Sequence, residues 1–343
     1  MIVPDMAQDA AGVADHYDEL DPIYRRVWGE HVHHGLWTTG RETPGEAVEA
    51  LVDAVGDRLN LMPGQACVDI GCGYGSTARR LAVTRGVRVT GFTVSTEQGQ
   101  YAAAHPMPDV DIQVRDWLFN GLPDASANAA WAIESSEHMA DKQAFFAEAH
   151  RVLTAGGRLV VCAWLAGTDA RGWKVRHLLK PICREGRLPS MGTRQEYEAM
   201  ALAAGFAVTG YEDVSRRVAR TWPICARRLI KALLVDPGTR RLALGGRNRN
   251  SFLGIPRLIL AYRTGAMRYG IFTFSKAGEN GALREPAHQR SQSGPDRTRR
   301  ARSAGACHAQ GAVPPSSGPG GYPCSAPVRA RHASSCSMVS GFW

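Results

Sequence analysis

The sequence predicts an α/β protein built on a doubly wound, mostly parallel, seven-stranded sheet, with an N-terminal helical lid and helical cap insertions. Three observations carry that expectation. Short apolar runs alternate with helix-like stretches between about residues 45 and 277, the order that lays parallel strands between two layers of helices. A glycine-rich turn, Gly71-x-Gly73-x-Gly75, separates the first apolar run from the next helix, where such sheets open onto their ligand crevice. Two non-alternating segments, near 165–192 and 222–265, interrupt the order where a cap over the C-terminal edge of the sheet would be built.

Each element has its own warrant. Residues 8–30 read as helix, with a break expected at Asp21-Pro22 because proline lacks the amide a helix interior needs. GEAVEALVDAVGDRLN (45–60) spaces its apolar residues three and four apart, as an amphipathic helix does. ACVDI is the first strand, STARRLAVT a helix, VRVTGF a strand, TEQGQYAAA a helix and DIQVRD a strand. A turn with Gly121 and Pro123 leads to the strand NAAWAIE. DKQAFFAEAHRVL is a helix stopped before Gly156-Gly157, and RLVVCAWL follows as a strand. TRQEYEAMALAAGF and FAVTGYEDV restore helix and strand after the first insertion, and MRYGIFTFSKA closes the sheet after the second. The resulting organisation is a lid over 1–43, a sheet domain with the cap insertions over 44–277 and a tail over 278–343.

Composition removes several function classes. The chain carries +9 net charge, but residues 284–343 hold eight arginines against only Glu285 and Asp296, so most of the basic excess lies in the tail. The folded part therefore gives no electrostatic ground for a nucleic-acid partner. The tail is rich in Ser, Gly, Pro, Ala and Arg without apolar periodicity, and is expected to be disordered. Those residues are also what GC-rich codons read out of frame would encode. No window holds the roughly 18 uninterrupted apolar residues of a membrane span. The N-terminus has acids and no basic leader, and the eight cysteines are scattered, so a cytoplasmic protein with reduced thiols is expected.

The glycine turn raises the question of its ligand. A dinucleotide site wants G-x-G-x-x-G and an acid about 20 residues on to hold a ribose. Here the third position is Ser76, and the second strand ends Gly91-Phe92-Thr93-Val94-Ser95 without an acid. An acid instead precedes the glycines: Asp69, in the pattern D-x-G-x-G-x-G. A carboxylate there suits the ammonium group of an amino-acid-like ligand better than a pyrophosphate.

In this pattern the chain resembles the class I S-adenosylmethionine-dependent methyltransferases, and the resemblance implies a Rossmann-like methyltransferase fold with S-adenosyl-L-methionine as cofactor. Gly91–Gln98 resembles the G-x-T-x-S-x-x-Q motif of the tocopherol-methyltransferase-like and cyclopropane-fatty-acid-synthase-like branches. That likeness implies that Thr93, Ser95 and Gln98 line the ribose and methionine side. Asp116-Trp117 matches the position that holds and stacks the adenine. Glu134-Ser135-Ser136-Glu137-His138-Met139 resembles the E-S-x-E-H-M signature of the tocopherol branch, and RVLTAGG (151–157) is also typical. Asn128-Ala129 departs from the usual F-D and weakens a local turn interaction. Trp28–Trp37 resembles the branch's W-G-x-H-x-H-H-G-x-W segment, which with an upstream tyrosine, Tyr17 or Tyr24, folds over the cofactor. His31, His33 and His34 lack a Cys or acid at ligand spacing, so no metal is expected.

The expected cofactor-binding residues are thus Asp69, Gly71, Gly73, Gly75, Thr93, Ser95, Gln98, Asp116, Trp117, Glu134, Tyr17 and His34. Methyl transfer from a sulfonium needs the acceptor about 3 Å from the methyl carbon, water excluded, and an acidic acceptor's proton removed. His138 is the expected base, with Glu134 and Glu137 as its orienters and His34 as a second candidate. Trp173, Leu178, Leu179, Pro181, Ile182 and the Arg184–Ser190 run resemble the family segment that walls the acceptor site. WPICARRLIKALLV (222–235) mixes bulky apolar and basic residues, either to lie peripherally on a membrane or to pack with its basic stems snorkelling. The expected reaction is methylation of an oxygen or carbon of a small hydrophobic metabolite, phenolic or prenylated. Methylene transfer to a lipid alkene and NAD-dependent oxidoreduction are the alternatives.

Overall fold

A computed structural model describes residues 1–245 and 250–278, with side chains described outside 242–253. The tail expected from residue 278 onward lies, Gly278 apart, outside the described residues. Eighteen elements follow in the expected order: α1 (Ala10–Val27), α2 (Pro44–Leu59), β1 (Ala66–Ile70), α3 (Ser76–Arg85), β2 (Arg88–Thr93), α4 (Thr96–Ala104), β3 (Val110–Val114), β4 (Ala127–Ile133), α5 (Lys142–Val152) and β5 (Leu153–Ala166). After a wide helical turn at Val175–Leu179 come α6 (Lys180–Glu185), α7 (Arg194–Ala203), β6 (Phe206–Asp213), α8 (Ser215–Val218), α9 (Thr221–Val235), α10 (Pro237–Gly245), α11 (Asn250–Arg263) and β7 (Met267–Lys276).

The seven strands form one sheet in the order β3-β2-β1-β4-β5-β7-β6, and β7 alone runs antiparallel to its neighbours. Strand order reverses between β1 and β4, so their C-terminal tips part and open the crevice where ligands of doubly wound sheets bind. Period-two alternation sends each strand's side chains to two cores. On one face Val68, Ile70, Leu159, Val161, Phe272 and Phe274 meet Phe145, Phe146 and Ala149 of α5 and Tyr197 of α7. On the other, Cys67, Val89, Trp131, Val160 and Ile271 meet Leu51, Val52 and Val55 of α2 and Ala78 and Leu81 of α3.

A third core belongs to neither face. Leu20, Ile23 and Val27 of α1 pack with Leu179, Ile182, Leu188, Trp222, Cys225, Leu229, Ile255 and Leu258 from the two cap insertions. Lid and caps therefore share one apolar interior above the C-terminal edge of the sheet. Asn128, the departure from the usual F-D, takes a local role of its own: its Oδ1 accepts the Ala66 amide at 3.0 Å and starts β1 beside β4.

The break expected at Asp21-Pro22 does not occur, and α1 continues through Pro22. Burial explains the override. Leu20, Ile23 and Val27 lie on either side of Pro22 and are each 1–3% exposed. Three such side chains outweigh the roughly 3 kcal/mol that an interior proline costs. Pro22→Ala should therefore stabilise the protein in urea unfolding by about 2 kcal/mol, the helix penalty less the unfolded-chain entropy that proline removes.

Candidate active site

The crevice is built from the glycine turn upward. Gly71, Gly73 and Gly75 all adopt positive φ, at 75°, 55° and 79°. At Gly71 a Cβ would sit 2.2 Å from the Ser135 Cβ, so glycine is what lets the tips of β1 and β4 touch. Ser135 Oγ donates to the Ile70 carbonyl across that contact. At Gly73 a Cβ would meet nothing nearer than Gln98 Nε2 at 4.0 Å, so this backbone faces open space. Gly75 is the N-cap of α3.

Asp69 lies behind this turn. It is 2% exposed, on the β1 face that packs under α3, and its Oδ2 has no hydrogen-bond partner among the described residues. Burial pushes its carboxyl up to about 7, against the pull of the Trp131 indole N–H and the Ala78 amide. The tip of β2 is interlocked. Thr93 Oγ1 donates to Gln98 Oε1 at 2.7 Å and accepts the Ser95 amide at 3.2 Å. Ser95 caps α4 by accepting the Gln98 amide at 3.1 Å. Asp116 accepts the Leu118 amide, and the buried Trp117 packs against Phe92 with ring centroids 5.8 Å apart.

Acids of the lid latch onto these turns. Asp18 accepts from Ser95 Oγ at 2.5 Å and from the Glu97 amide at 3.2 Å. Asp21 accepts from Tyr74 Oη at 2.6 Å, and Glu30 from Tyr101 Oη at 2.6 Å and Ser76 Oγ at 3.3 Å. Sequence reasoning missed all three. Their only signal is a set of acids on a helix and its exit, which does not name its partners.

The tip of β4 holds the densest polar group. Glu134 has φ +54° and a buried carboxylate that accepts from the His34 amide (2.7 Å), His34 Nδ1 (2.9 Å), Tyr269 Oη (2.8 Å) and Trp164 Nε1 (2.8 Å). Burial opposes its charge, but the His34 imidazole and amide, with His33 beyond, hold the carboxyl down at about 2. Glu137 accepts from the Trp164 amide at 2.5 Å and from Ser136 Oγ at 3.1 Å. Burial pushes it up to about 7, with the charge of Glu134 adding to the rise. His34 is 1% exposed, and its Nε2 meets Tyr262 Oη at 3.1 Å.

His138 is not oriented as expected. Neither Glu134 nor Glu137 bonds it, because both carboxylates are consumed by donors from β5, β7 and the lid. Its Nε2 lies 3.1 Å from Tyr17 Oη, and its Nδ1 lies 3.3 Å from the Arg187 carbonyl. That carbonyl can only accept, so Nδ1 carries the proton of the neutral ring and Nε2 presents its lone pair to Tyr17. Burial lowers the pKa of His138 to about 4.

Two cavities meet at this histidine. One, of about 80 Å³, lies over Gly71, Gly73, Thr93, Gln98 and Trp117. The other, of about 110 Å³, is walled by Leu20, Ile23, Trp28, Ile182, Leu188, Trp222, Ile255 and Leu258. Tyr17, Val32, Glu134 and His138 line both. Of the residues the sequence singles out, Asp69, Gly75, Ser95 and Asp116 line neither. His34 and Tyr24 line the larger cavity. Of the predicted cap wall, Ile182 and Leu188 reach the larger cavity, whereas Trp173 is 52% exposed. His31 Nδ1 pairs with His33 Nε2 at 3.2 Å, and no group suited to hold a metal occurs among the described residues.

The lining of the smaller cavity has groups suited to an adenosyl amino acid. It combines bare backbone at Gly73, a hydroxyl and an amide from Thr93 and Gln98, and an aromatic ring from Trp117. Comparison with known proteins gives the class. A family model described as Mycolic acid cyclopropane synthetase matches residues 5–233. The probable chloroplastic tocopherol O-methyltransferase of Oryza sativa subsp. japonica is 30% identical over 286 residues, 77% of this chain and 78% of that one. The 27-O-demethylrifamycin SV methyltransferase of Amycolatopsis mediterranei (strain S699) is 34% identical over 222 residues, 62% of this chain and 79% of that one. The solved structure of cyclopropane synthase MmaA2 from Mycobacterium tuberculosis shares the fold, with a TM-score of 0.70 at 23% identity, covering 79% of this chain and 100% of that one. Fold, crevice and relatives define a class I S-adenosylmethionine-dependent methyltransferase. Within that class the chain belongs to the mycolic acid cyclopropane synthetase family.

The raised pKa of Asp69 has a measurable sign. Its folded value near 7 stands above the ordinary value of about 3.9, so the folded state holds a proton that the unfolded state has lost. Stability therefore falls as pH rises from about 4 to about 7. Asp69→Asn should remove that loss, gaining about 1–4 kcal/mol on the parent between pH 5 and pH 8 in denaturant unfolding. Equal pH slopes for the two proteins would contradict the assignment.

Proposed function

We propose that this methyltransferase modifies an oxygen or carbon of a small hydrophobic metabolite, phenolic or prenylated, and that His138 takes the acceptor's proton. The observation that carries the reading is the junction of the two cavities at Tyr17 and His138. One side carries the bare Gly71 and Gly73 backbone with the Thr93 and Gln98 side chains, and the other is walled largely by apolar and aromatic residues, with His16, Glu137 and Glu185 among them. The names of the rice and Amycolatopsis relatives specify a tocopherol O-methyltransferase and a 27-O-demethylrifamycin SV methyltransferase, which supports a hydrophobic acceptor.

S-adenosylmethionine supplies, when bound, a methyl group on a sulfonium that leaves as a neutral thioether. The chain supplies the rest. Gly71 and Gly73 offer backbone to the aminoacyl end, Thr93 and Gln98 hydrogen-bond the ribose, and Trp117 beside Asp116 takes the adenine. Asp69, Gly75 and Ser95 hold these turns in place, and Glu134 with His34 braces the junction. An acceptor hydroxyl at Tyr17 gives its proton to His138 Nε2, directly or through the Tyr17 hydroxyl, as the oxygen's electron pair forms the new bond. For carbon methylation the same deprotonation raises the nucleophilicity of the ortho carbon. The apolar core shared by lid and caps excludes water.

Incubating a cell extract with methyl-labelled S-adenosylmethionine and the protein should label one hydrophobic metabolite. His138→Gln should lower its turnover by about 10²–10⁴. Unchanged turnover across pH would remove His138 as the base. The family's name favours a second reading, methylene transfer to a lipid alkene, and ring protons in the product's NMR spectrum would identify it.

The outer face of α9 supports peripheral membrane contact as the acceptor's route. Ile230, Leu234 and Val235 are 58%, 74% and 64% exposed beside Arg227 and Lys231, while Trp222, Cys225 and Leu229 pack inward. No helix among the described residues is long and apolar enough to cross a membrane. Co-sedimentation with anionic vesicles should fall when Ile230 and Leu234 are both changed to Ser, and fall again with added salt. Equal sedimentation of parent and variant would exclude this route.

A further inference from the structure

Lys142 occupies a place that nothing about its helix explains. It is 2% exposed, and it is the first residue of α5, where the helix dipole disfavours a cation. Burial lowers its pKa to about 8, partly offset by the charge of Glu137. An ammonium group there must be held by its contacts. Those contacts are the Glu137 carbonyl (3.1 Å), the Met139 carbonyl (3.0 Å) and Ser190 Oγ (3.0 Å).

The three acceptors lie on both sides of one other contact. Glu137 and Met139 flank His138 in the chain. Ser190 follows Arg187 by three residues, and the Arg187 carbonyl lies 3.3 Å from His138 Nδ1. Arg187 itself has φ +56°, a left-handed conformation that a non-glycine residue adopts at a cost of about 1 kcal/mol or more. The strained carbonyl and the turn that carries His138 are thus tied together by a single buried cation.

We propose that Lys142 is a positioning residue that clamps the Arg187–Ser190 segment to the His138 turn and so fixes His138 as the Nδ1–H tautomer, with the Nε2 lone pair directed at Tyr17 and the cavity junction. If the segment drifted, Nδ1 would lose its acceptor and the ring could place its proton on Nε2, donating to Tyr17 Oη. That tautomer has no lone pair facing the junction. The clamp rests on the reading of His138 as base only for its effect on turnover; the tautomer itself is a separate observable.

The test is NMR of the full chain with 15N-labelled histidine, near pH 7, correlating ring nitrogens with carbon-bound ring protons. His138→Gln assigns the His138 signals by their loss. The parent should show a protonated Nδ1 and a bare Nε2. Lys142→Met and Ser190→Ala should each move the tautomer ratio toward Nε2–H by about 2- to 10-fold, the range that one lost hydrogen bond commands. Arg187→Gly keeps the carbonyl, relieves the strain and should leave the parent tautomer. An Nε2–H ring in the parent would overturn the proposal. So would an unshifted ratio in folded Ser190→Ala, a variant that keeps the lysine and loses one of its three acceptors together with the Ser190 contact to Met1 Sδ. Turnover distinguishes the two readings. If both stand, the shifted variants lose kcat with little change in KM for S-adenosylmethionine. If His138→Gln retains full turnover while the tautomer still responds to Ser190→Ala, the base reading fails and the clamp remains.

Discussion

The buried carboxylate of Glu134 is the constraint on which the rest of the site depends. A charge taken out of water is tolerated only when several donors replace its solvation, and here four come from three separate parts of the chain. His34 brings the end of the lid, Trp164 the end of β5, and Tyr269 the start of β7. Removing the charge would leave these donors facing one another without an acceptor. Glu134 sits at φ +54°, a strained conformation that such a network can hold in place. The lid, the sheet tip and the cap-side strands are therefore anchored at one point, and both cavities open beside it.

The contrast between the two cavities follows from the layers that make them. The smaller cavity lies over strand tips and turns, where the Gly71 and Gly73 backbone and the Thr93 and Gln98 side chains stand beside apolar residues such as Phe92 and Ile133. The larger cavity lies among inward-facing helices, so apolar residues of α1, α6, α9 and α11 form much of its wall, with His34, Glu134 and Glu137 on the sheet side. His138 lines both. Burial keeps its ring neutral over the ordinary pH range, which is the state a proton acceptor must start from.

Much of this was legible beforehand. β1 and α4 have the boundaries read from ACVDI and TEQGQYAAA, and the other strands differ by a residue or a few, because a two-residue period and a glycine turn are local signals. The likeness at Gly71, Thr93, Trp117 and His138 pointed to residues that do line one crevice. Pro22 misled, since a local helix penalty was overridden by burial of its neighbours. Glu134 and Glu137 misled in another way. Their proximity to His138 in sequence suggested that they orient it, yet they turn to Trp164, Tyr269 and His34, residues 27 to 135 positions away.

By itself the sequence determined the strand-helix order, the parallel sheet and the glycine turn, because these follow from periodicity and from what backbone geometry each residue allows; the ligand class came from the likeness to the methyltransferases. Only the tertiary structure decided which polar groups are paired. It placed Asp69 behind the turn, gave Asp18, Asp21 and Glu30 their partners, and put Arg187 and Lys142 around His138. The reason is physical: a hydrogen bond depends on distances between segments far apart in the chain, and those distances exist only after the apolar faces have packed.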